Sequence, residues 1–486
     1  MRRTVALLAL LAGSAVTGPT AAATAAQASA TLCVGAQPGC YATLQAAVDA
    51  AGDGDTITIA RGTFAGGVSI TKSLTIVGSG VGQTIIKGGG PVLTIGTFLG
   101  ADDFTVSIRG VTITGGANST QPDTAVTFGG GIWIPVAEDQ TTGATVSIAN
   151  SAITNNSVTT SADIPPGGFC GPLACGFGDG GGIDNGGNLT IANTTVSGNQ
   201  VGPGMASGNG SGGILNRNQG TLVLSHSFVT GNHVDSGAPN GRSAGTGGVS
   251  SDGKLTIDAS VISGNDVELR ETFDGSFDEG ANTGGVHISG FPGSAGTITN
   301  SAISNNHVTA TTTVNDTGAF AGGILAEGTM TLSGGSVDHN SVTVNAPGNA
   351  YADGGGIEVD GTATITNALI AANTVSAVGA GSGAFAQGGG VANVGTTTLQ
   401  RTFVIANRVT ASGPSGVAQG GGIWNGTFNQ GDPTPSLTVL SSLVSGNTVK
   451  TSGGITPQGG GIYTTVPVTL SRTLVVANGP DECEGC

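Results

Sequence analysis

The chain carries only 5 histidines and 6 cysteines in 486 residues, so chemistry can concentrate in few places. His233, Asp266 and His307 occupy one position of a recurring motif: Asn232-His233-Val234, Asn265-Asp266-Val267 and Asn306-His307-Val308. Two imidazoles with a carboxylate between them could bind zinc or copper, or act as an acid/base group. A solvated Asp266–histidine pair would leave the same pattern. A second motif, Gly-Gly-Ile/Val, is followed by Trp424 and Tyr463 in neighbouring copies. Adjacent exposed rings there suit stacking on sugars, though the same rings could instead cover apolar core. Asp184, His287 and Glu358 share that position, but intervening copies separate them too far for a carboxylate pair to work on one glycosidic bond. The densest acidity is Glu268, Glu271, Asp274, Asp278 and Glu279; Asp274, Asp278 and Glu279 are its candidate calcium ligands. The spacing of an EF-hand is absent. The cysteines form three close pairs, Cys33/Cys40, Cys170/Cys175 and Cys483/Cys486, which read as local disulfides in an oxidising compartment. The last pair could alternatively be half of a metal or redox site.

These residues are positioned by a repeat. Gly-Gly-Ile/Val alternates strictly with Ile/Val-x-x-Asn, whose asparagines are Asn156, Asn199, Asn232, Asn265, Asn306, Asn340, Asn373, Asn407, Asn447 and Asn478. Within a copy such as Gly182-Ile183-Asp184-Asn185 through Leu189-Thr190-Ile191 to Val196-Ser197-Gly198-Asn199, apolar and polar residues alternate over short runs broken by Gly or Asn. Period-two alternation marks strands with one buried face. The pattern predicts an all-β chain, a single right-handed parallel β-helix of roughly 12 coils with three short strands each. The asparagine should bend the chain in a left-handed conformation and bond its neighbours one coil away as a buried ladder. The residue after each Asn, and the one after each Gly-Gly-Ile/Val, should face solvent. The polar segments between Asn-x-Val and the next Gly-Gly should form loops along one side. Thr43 to Ala51 is the one helical run; Leu44, Ala47, Val48 and Ala51 share a face, fit to cap the first coil. Asp53-Gly54-Asp55 reads as turn chemistry.

Residues 1–30 read as a signal peptide: Arg2-Arg3, the apolar run Val5 to Ala12, and Ala28-Ser29-Ala30 as cleavage site. Residues 31–95 form the cap and first coils, 96–478 the repeats and 479–486 a tail. The expectation is a secreted chain, extracellular or loosely surface-associated, with no membrane span. Net charge is −16, and two units more negative once Arg2 and Arg3 leave, which excludes nucleic acid as a partner.

Tyr41-Ala42-Thr43-Leu44-Gln45-Ala46-Ala47-Val48, Gly54-Asp55-Thr56-Ile57, Gly62-Thr63-Phe64 and Lys72-Ser73-Leu74-Thr75-Ile76-Val77-Gly78 resemble the opening of pectin-lyase-like β-helix proteins. The repeats are also similar to those of polymorphic outer-membrane adhesins. The resemblance implies fold over nearly the whole chain and says little of activity. The motifs of polygalacturonases, pectate lyases and pectin methylesterases are missing; Asp102-Asp103 and Asn315-Asp316 lack the polygalacturonase surroundings.

Two functional expectations follow. The favoured one is a non-catalytic, adhesin-like protein recognising a polysaccharide or cell-surface glycan through Trp424 and Tyr463. The other is a polysaccharide lyase or hydrolase with a non-standard site, its weak candidates being His233, Asp266 and His307. No cofactor is required by either; calcium is the ion the acidic segment could hold.

Overall fold

The computed structural model describes residues 29–100, 102–119, 126–136, 143–159, 177–202, 210–236, 244–271, 280–313, 316–428 and 433–486. Helix α1, Leu44–Ala50, lies at the start, with the Thr43 hydroxyl accepting from the Ala46 N–H at 3.2 Å and Leu44, Ala47 and Val48 buried. Among the described residues every regular element after it is a strand, and neighbouring strands run parallel.

One coil illustrates the design. Ile357–Val359 belongs to sheet 1 (13 strands, the Gly-Gly-Ile/Val copies among them), Thr362–Thr366 to sheet 2 (14 strands) and Leu369–Ala371 to sheet 3 (13 strands). The chain is a parallel β-helix with the three expected strands per coil. Inward residues such as Ile357, Ile365 and Ile370 join one core running the length of the rod. Period two works here because alternate side chains meet either that core or the opposite face.

The segments expected as loops are largely strands. Thr374–Gly379 continues past sheet 3 into sheet 4, which has 10 strands, and Asn349–Asp353 belongs to sheet 5, with 7. Sheets 4 and 5 pack face to face around their own narrow core, including Val308, Ala310, Val344, Ala352 and Ala386. Central coils therefore carry five strands: a three-sided prism with a two-sheet arm. The pair Val126–Phe128 and Phe177–Asp179 occupies the sheet 5 position in two early coils.

Prism and arm meet at a waist. There Asn306 Nδ2 donates to Asn340 Oδ1 at 2.9 Å and to the Ile262 carbonyl at 3.0 Å, and the same two bonds recur with small variation along the series. The series runs without a break from Asn156 to Asn478. Opposite lies the Gly-Gly pair. A Cβ on Gly182 would sit 2.6 Å from the Gly213 carbonyl and 2.9 Å from Asn199 Nδ2, so only glycine leaves the amides room. The left-handed residue is not the ladder asparagine but its predecessor, Asn155 (φ 53°), Gly231 (φ 62°) or Asn305 (φ 54°) among others. The ladder residue is thereby freed to point inward.

Candidate functional site: an acidic corner between sheets 1 and 5

The residue after each Gly-Gly-Ile/Val does leave the prism core, but it does not reach open solvent. Asp184, Ser250, His287, Glu358 and Trp424 are all buried. The chain turns sharply between sheets 5 and 1 at left-handed glycines such as Gly180 (φ +62°), Gly354 (φ +61°) and Gly420 (φ +66°). The turn brings the outer faces of the two sheets together. Residues five apart across the glycines then face each other. Phe128 stacks on Trp133 with centroids 5.0 Å apart; Gln419 Oε1 accepts from Trp424 Nε1 at 3.2 Å; Arg217 bridges Asp179 (2.7 Å) and Asp184 (2.7 Å). The result is a re-entrant corner along the rod.

Register places His287 at its middle. Trp133, Asp184, Leu215, Ser250, His287, Leu325, Glu358, Ala392 and Trp424 are successive partners in sheet 1. At ~4.8 Å per coil, the two tryptophans lie about 38 Å apart with His287 midway. Aromatic rings mark both ends: Phe98 and Phe128 beside Trp133, and Phe428 stacked on Trp424 at 5.0 Å. On the arm side of the corner Tyr351 stacks on Phe385 at 4.7 Å.

The centre holds linked titratable groups. Ser250 Oγ lies 3.2 Å from His287 Nδ1, and His287 Nε2 lies 3.2 Å from Glu327 Oε2, which also accepts from the Gly290 N–H at 3.1 Å. That bond to His287 holds the Glu327 carboxyl below its ordinary range. One coil on, Glu358 and Asp353 are fully buried and face each other; burial, reinforced by the charge of Asp360, pushes both well above the carboxylate range. Glu358 Oε2 has no hydrogen-bond partner. Burial also raises Asp252, whose Oδ1 is likewise unpartnered, while Asp184 is pushed up to about 6 despite Arg217.

The residues singled out in the sequence fare differently. His233, Asp266 and His307 are successive register partners in sheet 4, but they do not converge. His233 Nδ1 pairs with Asp266 Oδ2 at 3.1 Å, a bond that raises the imidazole pKa, whereas His307 Nδ1 turns to Ser341 Oγ at 2.8 Å. Trp424 is 2 % exposed, so the expected open platform of Trp424 and Tyr463 is corrected: the arm covers the first ring and leaves the second half-buried. Disulfides join Cys33 to Cys40 and Cys483 to Cys486. Asp274, Asp278, Glu279, Cys170 and Cys175 lie outside the described residues. Among those described, no three His, Cys, Asp or Glu side chains gather as a metal-ion site, and no helix is long and apolar enough to cross a membrane.

Sequence reasoning placed His287 and Glu358 in one column and stopped at their separation. It missed that partners come from other columns: Asp353 from sheet 5, Glu327 from the next coil. The available signal was an acid five residues before another across Gly-Gly-Gly, in Asp179/Asp184 and Asp353/Glu358.

No family model matches the chain, and no curated protein matches its sequence. Solved structures similar in fold include two A-modules of Azotobacter vinelandii mannuronan C-5 epimerases. For AlgE6 the identity is 15% over 90% of this chain and 95% of that one, with a TM-score of 0.36. For AlgE4 it is 14% over 91% and 94%, with a TM-score of 0.31.

Proposed function

We propose that the protein is a glycan-cleaving hydrolase that lays a polysaccharide chain along the corner between sheets 1 and 5. The observation that carries this reading is the opposite displacement of two carboxyls on neighbouring coils. Burial pushes the Glu358 carboxyl above the ordinary range, and the bond to His287 holds that of Glu327 below it. Environments that push two carboxyls apart in this way assign an acid and a base. One coil and two residues separate them, on the order of 8 Å, which leaves room for a water between substrate and base. In this reading Glu358 protonates the leaving oxygen. Glu327, oriented by His287 and through it by Ser250, takes a proton from the attacking water. The aromatic stacks at the ends and on the arm hold sugar faces on either side.

This reading brings forward the enzymatic expectation and moves its site from sheet 4 to the corner. The Cys33–Cys40 bond supports an oxidising compartment, and with the leader-like residues 1–30 it favours secretion. The test is turnover on a panel of neutral, anionic and cationic polysaccharides, following reducing ends and unsaturated products. Hydrolysis should fall by ~100-fold or more in Glu358→Gln and in Glu327→Gln. Reducing ends accompanied by unsaturated uronate would point to a lyase. Binding without turnover would restore the non-catalytic rod.

A further inference from the structure

We infer that the chain this corner accepts is a cationic amino-sugar polymer, one carrying free ammonium groups, and not a polyuronate; the inference rests on the reading that a glycan occupies the corner. Its first ground is the balance of charge. Asp252, Glu327, Asp353, Glu358 and Asp360 line the central stretch from both walls. Among the described residues of the two facing columns and their rim, the basic side chains are Arg217, already bonded to two aspartates, and His287, already bonded to Glu327. A uronate arriving there would meet like charge with no free cation to receive it, in a chain whose net charge is −16.

The second ground is hydrogen bonding. Glu358 Oε2 and Asp252 Oδ1 are buried oxygens without hydrogen-bond partners, and such groups are costly to leave unmet. A uronate carboxylate brings only acceptors. An ammonium brings three donors and a positive charge, answering both wants with one group. Its arrival also favours ionisation of Asp353 and Asp252, which burial raises above the ordinary carboxylate range, so binding should expel protons into the buffer. The aromatic stack of Tyr351 and Phe385 beside Asp353 adds a platform for the ring that bears the amine.

The experiment is isothermal titration of the full chain at mildly acidic pH with three short oligomers: glucosamine, N-acetylglucosamine and galacturonate. Each is run in two buffers of different ionisation heat. The expected result is that the glucosamine oligomer binds tightest and releases protons. Asp360→Asn and Glu327→Gln should each weaken it roughly three- to tenfold, while Glu268→Gln, on sheet 4 away from the corner, should not. Equal or tighter binding of the acetylated or galacturonate oligomer would overturn the charge inference and leave the glycan groove standing. An equal loss in Glu268→Gln would overturn it as general charge attraction. If none of the three binds, the groove reading fails and this inference with it.

Discussion

Glu358→Gln offers a measurement that does not require a substrate. Folding moves Glu358 from water, where a glutamic acid titrates near ~4.3, into a fully buried place where burial and the charges of Asp360 and Asp353 raise its pKa. Above the unfolded value, the native state therefore holds a proton that the unfolded chain has lost. Stability from this group is complete below about pH 4 and drains away as pH rises, until the folded pKa is passed. While one group is protonated only in the native state, the loss is ~1.4 kcal/mol per pH unit. Glutamine keeps the shape but carries no proton to lose. Asp184, Asp252, Glu327 and His233 also shift, yet they remain in both proteins and largely cancel in the difference; Asp353 titrates together with Glu358 and does not cancel, so both proteins carry Asp353→Asn. Urea unfolding at intervals between about pH 5 and pH 8 should show the glutamine protein gaining on the glutamate one by up to ~1.4 kcal/mol per unit. Parallel curves over that range would refute the buried neutral carboxyl, and with it the acid of the proposed reaction.

Three further outcomes follow from the geometry. Asn306→Ala removes the acceptor for the Asn265 N–H (3.1 Å) and the donor to the Ile262 carbonyl (3.0 Å), both buried; chemical denaturation should show a loss of about 3–6 kcal/mol, and clearly less for Asn478→Ala at the more open end. Trp424→Ala should cost ~3–5 kcal/mol of stability, so lost glycan binding in that variant must be read beside its melting curve. Arg217→Met leaves Asp179 and Asp184 without their cation and should destabilise by about 3–5 kcal/mol; the deficit should shrink as pH falls towards about 6 and level off below it, because the variant's Asp184, freed of the cation that lowers its pKa, takes its proton above that value.

The prism was legible because its strands repeat the same alternation in every copy, Leu189-Thr190-Ile191 stacking on Leu222-Val223-Leu224 in register. The arm was not. Its strands vary in length, and stretches such as Ala350-Tyr351-Ala352 bury only alanines against a thin core, so they read as polar linkers. That omission propagated to the site. A residue that alternates away from the prism core was assigned to solvent, whereas sheet 5 folds over it, burying Trp424 and pairing Glu358 with Asp353. The His233, Asp266, His307 column was placed correctly in register, but register does not dictate where side chains turn, and Ser341 drew His307 away.

The asparagine ladder also gives the rod a direction. Every amide from Asn156 to Asn447 donates to the next carboxamide oxygen towards the C-terminus, so the side-chain dipoles add instead of cancelling. The first oxygen in the line, on Asn156, accepts from the Gly116 N–H at 3.0 Å; the last amide, on Asn478, donates to the Glu482 carboxylate at 2.7 Å. A full negative charge thus sits where the aligned donors point, as an acidic side chain does at a helix N-terminus. The two ends of the ladder are electrically unlike: the first lies inside the rod, after the strands Gly62–Ala65, Thr84–Lys87 and Thr112–Thr114, and the second lies at the last coil. A coil inserted between Asn156 and Asn478 continues the line, whereas one added after Glu482 must first displace its terminating charge.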